Sequence, residues 1–192
     1  MEGLGSGQLE RAQLPPNHPC PVQPFPALQA ISSFVVDCLR ADPAAANPRP
    51  CLYVAGVPGT GKTATVLEVM RTLEARGAAR EIPRMQFVEV NALRLPSAQH
   101  AYSKLLEALT GDTRPPAAAR QRLQELFSGS GRPKGARFTV VLVDEIDMLA
   151  TRDQSVLYNL FGWPLERGAR LAIVGVANTL DLPERLLPRI AR

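Results

Sequence analysis

The stretch "GVPGTGKT" (56–63) lies between a short apolar run, "CLYVAG" (51–56), and "KTATVLEVMRTLEARG" (62–77), whose apolar positions recur at helical spacing. It fits G-x-x-x-x-G-K-[S/T] with Gly56, Gly61, Lys62 and Thr63, in the strand–loop–helix context that the pattern requires. A Gly-rich turn before a helix is common on its own. The lysine, the hydroxyl and the flanking elements together make this one a phosphate loop. Without side chains at Gly59 and Gly61, backbone N–H groups can converge on an anion, and the helix N-terminus adds partial positive charge. Lys62 then reaches the β- and γ-phosphates as a point charge, and the Thr63 hydroxyl is placed to ligate Mg²⁺.

The remaining chain repeats the strand–helix alternation. "MQFVEVNA" (85–92) and "FTVVLVD" (138–144) read as strands, and so does the apolar part of "ARLAIVGVANT" (169–179). Helices are expected over 26–40, over "SAQHAYSKLLEALTG" with Ser97 as N-cap and Gly111 as stop, over "PPAAARQRLQELF", and over 155–161. Gly77 is expected to stop the helix after the phosphate loop, and "DLPERLLPRIAR" to begin another helix. Nearly continuous apolar strands alternating with helices predict an α/β fold: a three-layer P-loop NTPase core, with a parallel sheet covered by helices on both faces. Residues 1–24, rich in Gly and Pro, read as a flexible lead-in, and residues 25–192 as the core.

"VVLVDEID" adds a second half to the site. Asp144, at the tip of a hydrophobic strand, is expected to hold Mg²⁺ through its water shell, and Glu145 to polarise an attacking water as general base. Asn178 lies just past the fourth strand, at the edge where open α/β sheets bind ligands; from position alone it reads as a turn residue.

Composition restricts the partners only weakly. A net charge of +4 is too small a surplus to argue nucleic acid. Cys20, Cys38 and Cys51 never form a C-x-x-C pair, and His18 and His100 stand apart from them, so idle thiols in a reducing compartment are expected rather than a metal centre. No apolar run approaches the ~18 residues of a membrane span, and "MEGLGSGQLE" lacks a signal-peptide pattern, so the chain reads as intracellular with no membrane partner.

With "GVPGTGKT", "LVDEID" and "ANT" in this order, the chain resembles the AAA+ ATPases. "FVEVNALRL", "YNLFGWP" and "VANTLDLPERLLPRI" make it similar to the initiator clade, which includes origin recognition complex subunits, over residues 51–190. The resemblance implies ATP held by Gly56, Val57, Pro58, Gly59, Thr60, Gly61, Lys62, Thr63 and Ala64 together with Glu145 and Asn178. It implies Mg²⁺ at Thr63, Asp144 and Glu145, with Glu145 and Asn178 catalytic and Asn178 sensing the γ-phosphate. It further implies a nuclear ATPase of DNA replication that binds double-stranded DNA beside other origin recognition complex subunits, one of which supplies an arginine to the ATP site.

In that clade a helical insertion follows the second strand. Arg94 and Lys104 could contact phosphates there, but a solvated helix face is the favoured reading of both, as a solvated loop is of Arg132, Lys134 and Arg137 in "GRPKGAR". The family's "LP-x-RE" opening is replaced by "PFPALQAISSFVVDCLR", so adenine contacts are not carried over; Arg189 and Arg192 fall near the expected finger arginine. The chain is expected to be truncated before the helical lid and winged helix. A P-loop alone would equally suit a clamp loader, a protein remodeller or a small kinase.

Overall fold

In the computed structural model, which describes residues 26–41, 50–128, 137–166 and 168–178, the architecture follows from two strands with no exposed residue. β3 (Phe138–Asp144) and β4 (Leu171–Ala177) are buried at every position. A strand buried along its whole length has no face to offer water, so it is stable only inside a sheet covered on both sides. β1 (Cys51–Ala55) and β2 (Met85–Asn91) flank them in the order β1-β4-β3-β2, all parallel. The expected sheet class is therefore the one found.

Each face carries its own core. α1 (Pro26–Arg40) and α2 (Lys62–Ala78) set Ile31, Val35, Val66, Met70 and Leu73 against Val140, Leu142 and Val174. α3 (His100–Thr110), α4 (Pro116–Phe127) and α5 (Ser155–Gly162) pack Tyr102, Leu105, Leu123, Phe127 and Leu157 against Val141, Val143 and Ile173. Trp163, 1% exposed, anchors the second core. Its ring centroid lies 5.8 Å from that of Tyr102 and 5.6 Å from that of Phe127, and its Nε1–H donates to Gln124 Oε1 at 2.6 Å. In "YNLFGWP", Leu160, Phe161, Trp163 and Pro164 are thus core residues, whereas Tyr158 is exposed.

Two expected helix boundaries need correction. Gly77 does not stop α2. It lies inside the helix, buried, where a Cβ would come 3.6 Å from Arg84 Cα, and Arg80 supplies the left-handed turn residue at φ 63°. That distance is ordinary van der Waals contact, so neither capping nor crowding requires a glycine there. Ser97 does not cap α3 with its side chain. Its Oγ sits 2.9 Å from His100 Nδ1, its carbonyl accepts the His100 N–H at 3.0 Å, and the regular helix starts at His100. Gly111 ends α3 as expected, at φ 76°. The lead-in, residues 129–136 and the segment from 179 onward lie outside the described residues, and with them Cys20, His18, Arg132, Lys134, Arg189 and Arg192.

Candidate functional site

Because the four strands among the described residues are parallel, their carboxyl ends reach one edge of the sheet. Ala55 pairs with Ala177 and Asn91 with Asp144, so the loop after β1, the acids after β3, Asn178 after β4 and the last residue of β2 gather there by register. Local sequence then shapes each piece.

Gly59 and Gly61 both adopt φ 79°. A Cβ at either would meet nothing within 4 Å, so the constraint is backbone conformation rather than space. Thr60 Oγ1 donates to Val57 O at 2.8 Å and ties the loop across. Gly61 caps α2 with no side-chain hydrogen bond, which leaves the first-turn N–H groups as donors toward the loop. Val57, Pro58, Gly59, Thr60, Gly61 and Ala64 are exposed, and Gly56 is half-buried.

Lys62 Nζ donates to Gly56 O at 2.8 Å, Val57 O at 3.0 Å and Asn178 Oδ1 at 3.0 Å. Thr63 Oγ1 donates to Asp144 Oδ1 at 2.9 Å. Asp144, 7% exposed, also accepts the Glu145 N–H on Oδ1 at 3.1 Å. A buried carboxylate must be hydrogen-bonded, and this one is. Glu145 itself sits at φ 52°, ψ 44°, a left-handed conformation that costs a non-glycine residue roughly 1–2 kcal/mol. Its Oε2 accepts Asn178 Nδ2. Asn178 therefore bridges Lys62 and Glu145, and all five expected side chains, Lys62, Thr63, Asp144, Glu145 and Asn178, converge.

One residue of this cluster escapes the motif reading. Asn91 Nδ2 donates to Asp144 Oδ2 at 3.1 Å, while its Oδ1 accepts the Leu93 N–H at 3.1 Å and caps the 3₁₀ turn Ala92–Arg94. The available signal was an amide at the carboxyl end of a strand, the same position that singles out Asn178.

Arg94 and Lys104 lie outside this cluster. They border a groove of about 530 Å³ beside β2 and α3, with Glu89, His100 and Glu107, and Lys104 pairs with Glu107 at 2.9 Å. Neither Cys38 nor Cys51 is joined in a disulfide among the described residues. Burial, reinforced by the neighbouring Cys38, pushes the Cys51 thiol up to about 12, which keeps it protonated and unreactive at neutral pH.

Among the described residues, no three His, Cys, Asp or Glu gather as a metal cluster. Thr63 and Asp144 are instead a pair of hard oxygen donors, as suits Mg²⁺, which takes few protein ligands and fills its shell from phosphate and water. A family model described as "ATPase family associated with various cellular activities (AAA)" matches residues 52–192. The chain belongs to the AAA ATPases. Within them it is 42% identical over 180 residues to rat "Origin recognition complex subunit 1", covering 94% of this chain and 20% of that protein. Among solved AAA structures, "Structure of Drosophila ORC bound to DNA" aligns at TM-score 0.74 and 34% identity over 96% of this chain and 50% of that one. The ORC1 protein of Aeropyrum pernix in complex with DNA aligns at TM-score 0.66 and 25% identity, over 85% of this chain and 41% of that one. The chain thus spans about a fifth of the length of the rat relative. Among the described residues no helix is long and apolar enough to cross a membrane.

Proposed function

We propose that this chain is the nucleotide-binding core of an origin recognition complex subunit similar to subunit 1. In this reading residues 25–192 form an AAA+ core, and residues 1–24 a lead-in. The core binds ATP with Mg²⁺ and hydrolyses it weakly unless a neighbouring subunit contributes an arginine. It works in the nucleus as part of an assembly that binds double-stranded origin DNA and starts replication. The observation that carries the ATP site is the convergence of Lys62, Thr63, Asp144, Glu145 and Asn178 at one sheet edge. The assembly and the DNA are supported by the rat relative and by the Drosophila complex on DNA.

The residues divide the work as follows. Backbone N–H groups of 56–64 and the α2 N-terminus receive phosphate oxygens. Lys62, an ammonium with three donors, can exchange the loop carbonyls it now holds for phosphate oxygens. Thr63 and Asp144 would hold the magnesium ion, which supplies charge neutralisation when bound. Glu145 accepts the proton of the attacking water, and its strained backbone is maintained by the buried Ile146 that follows it. Asn178 holds the Glu145 carboxylate through its amide, and would meet the γ-phosphate of a bound nucleotide.

Titration of the whole chain with a fluorescent ATP analogue, with and without Mg²⁺, tests this. Lys62→Ala is expected to weaken binding roughly 10- to 100-fold, the loss of a charge-assisted contact worth about 1.5–3 kcal/mol. Glu145→Gln should keep binding and lose hydrolysis. Wild-type affinity that Lys62→Ala leaves unchanged would sink the assignment.

A further inference from the structure

We infer that the outer edge of β2 is a docking surface for an extended segment of a partner protein, added antiparallel to β2 with an acidic residue against Arg94 and a basic one against Glu89. Among the described residues β2 ends the sheet and pairs with β3 alone. Its other side therefore carries alternate backbone N–H and C=O groups with no strand to receive them. Edge strands are ordinarily blunted by being short, by proline or by a bulge. β2 has none of these. It spans seven residues, contains no proline, and matches β3 pair for pair from Met85 to Asn91 without interruption.

The groove of about 530 Å³ beside β2 draws its lining from both faces of the sheet. Glu89 is the register partner of Leu142, which packs in the core under α1 and α2, so its side chain leaves β2 on that face. His100, Ser103, Lys104 and Glu107 come from α3, which packs on Val88 and Val90 of the opposite face. A groove bordered from both faces follows the strand edge itself, where one more strand would lie. The four α3 residues recur at i, i+3, i+4 and i+7, a single stripe of the helix, and all are polar. Ser103 Oγ is buried without a hydrogen-bond partner among the described residues, so this stripe carries an unmet polar group that incoming backbone can satisfy. Charge sets the order of the partner's residues. Glu89 and Arg94 are exposed and form no ion pair among the described residues, whereas Lys104 is held by Glu107 at 2.9 Å. Antiparallel pairing is somewhat the more stable per residue. A strand entering that way passes Arg94, beyond the end of β2, before it reaches Glu89, so acid precedes base along it. Nucleic acid suits the groove less well, because Glu89 and Glu107 would face its phosphates and Lys104 is already paired.

The whole chain is titrated into fluorescein-labelled Thr-Glu-Val-Thr-Val-Lys-Thr, followed by anisotropy. Two further peptides are compared with it, one with Glu and Lys exchanged and one with Pro-Pro in place of the central Val-Thr. The first is expected to bind about three- to tenfold more tightly than the exchanged peptide, as two cross-strand charge pairs warrant. Of two adjacent residues in a strand one must turn its N–H toward β2, so Pro-Pro should weaken binding at least about tenfold. The double variant Glu89→Lys, Arg94→Glu should reverse the preference between the charged peptides by a similar factor. Its affinity for the fluorescent ATP analogue should stay within about twofold of wild type, since both residues are exposed and outside the nucleotide cluster. Hydrogen exchange should slow at alternate β2 amides when the first peptide is bound. A wild-type chain that binds none of the peptides, or binds the Pro-Pro peptide as well as the first, overturns strand addition here. A double variant whose preference does not reverse overturns the assigned charges. Displacement of the first peptide by a mixed-sequence DNA duplex gives the groove to nucleic acid instead, and refutes the proposal.

Discussion

Replacing Gly175 with alanine would put a Cβ 2.9 Å from Ile146 Cδ1, 3.5 Å from its Cγ2 and 3.8 Å from Tyr53 Cδ2. Favourable carbon contacts lie near 3.5–4.0 Å, so the first of these is a collision of at least about half an ångström. Ile146 cannot simply turn away, because it is 0% exposed and packed in the core behind β3. Overpacking of this kind costs about 1–3 kcal/mol, against which the removal of a glycine from a strand interior returns about 0.5–1 kcal/mol. The net expectation for Gly175→Ala is a loss of about 1–2 kcal/mol, or roughly 2–8 °C in melting temperature for a chain of this size.

The offending atom can be deleted on its own. Ile146→Val removes Cδ1, and by itself costs about 0.5–1.5 kcal/mol as a small cavity. Combined with Gly175→Ala it should cost less than the two single losses summed, because each change relieves the other. Urea unfolding of the wild type, both singles and the double gives the coupling energy directly, expected at about 1 kcal/mol in favour of the double. Losses that simply add, or a single Gly175→Ala as stable as wild type, would refute the steric account. Since Ile146 follows Glu145 immediately, nucleotide hydrolysis should fall in the Gly175→Ala single and recover in the double.

Further predictions follow from the same kind of reasoning. Gly61→Ala should cost about 1–2 kcal/mol although nothing would touch the new methyl group, whereas Gly162→Ala, equally open but at helical φ −77°, ψ −42°, should be neutral or stabilising by about 0.4–1 kcal/mol; urea midpoints of the two variants compare them. Trp163→Ala should cost about 3–5 kcal/mol and expose the second core, measured as loss of cooperative thermal unfolding. The Cys51 thiol is raised from 9.0 to about 12, so its contribution to stability is fully present below pH 9 and is lost as pH climbs toward 12. Cys51→Ala should therefore flatten that alkaline decline, by up to about 1.4 kcal/mol per pH unit.

The sheet and the phosphate loop were legible because both are written in contiguous residues. An apolar run such as "FTVVLVD" announces a buried strand, and "GVPGTGKT" needs only its own flanks. What stayed hidden depends on residues that meet only after folding. Asn91 and Asp144 lie 53 positions apart and become neighbours through strand register, which no local pattern states. Gly77 looked like a helix stop because capping glycines are common, yet the helix runs through it to Ala78. Ser97 pairs with a histidine ring that competes for the role expected of it. The left-handed backbone of Glu145 was invisible for the same reason, since glutamate has no local preference for it.

The Asn178 amide has a further consequence. Lysine only donates hydrogen bonds and an ionised carboxylate only accepts them, so an amide between Lys62 and Glu145 has one workable orientation, carbonyl toward the ammonium and NH₂ toward the acid. It is a neutral spacer that satisfies both ions while holding them apart. Without it the two opposite charges would be free to collapse onto each other, and, under the proposed function, an ion pair so formed would withdraw the cation from phosphate and the base from water at once. Asn178 acts here as an electrical insulator, whose neutrality matters as much as its hydrogen bonds.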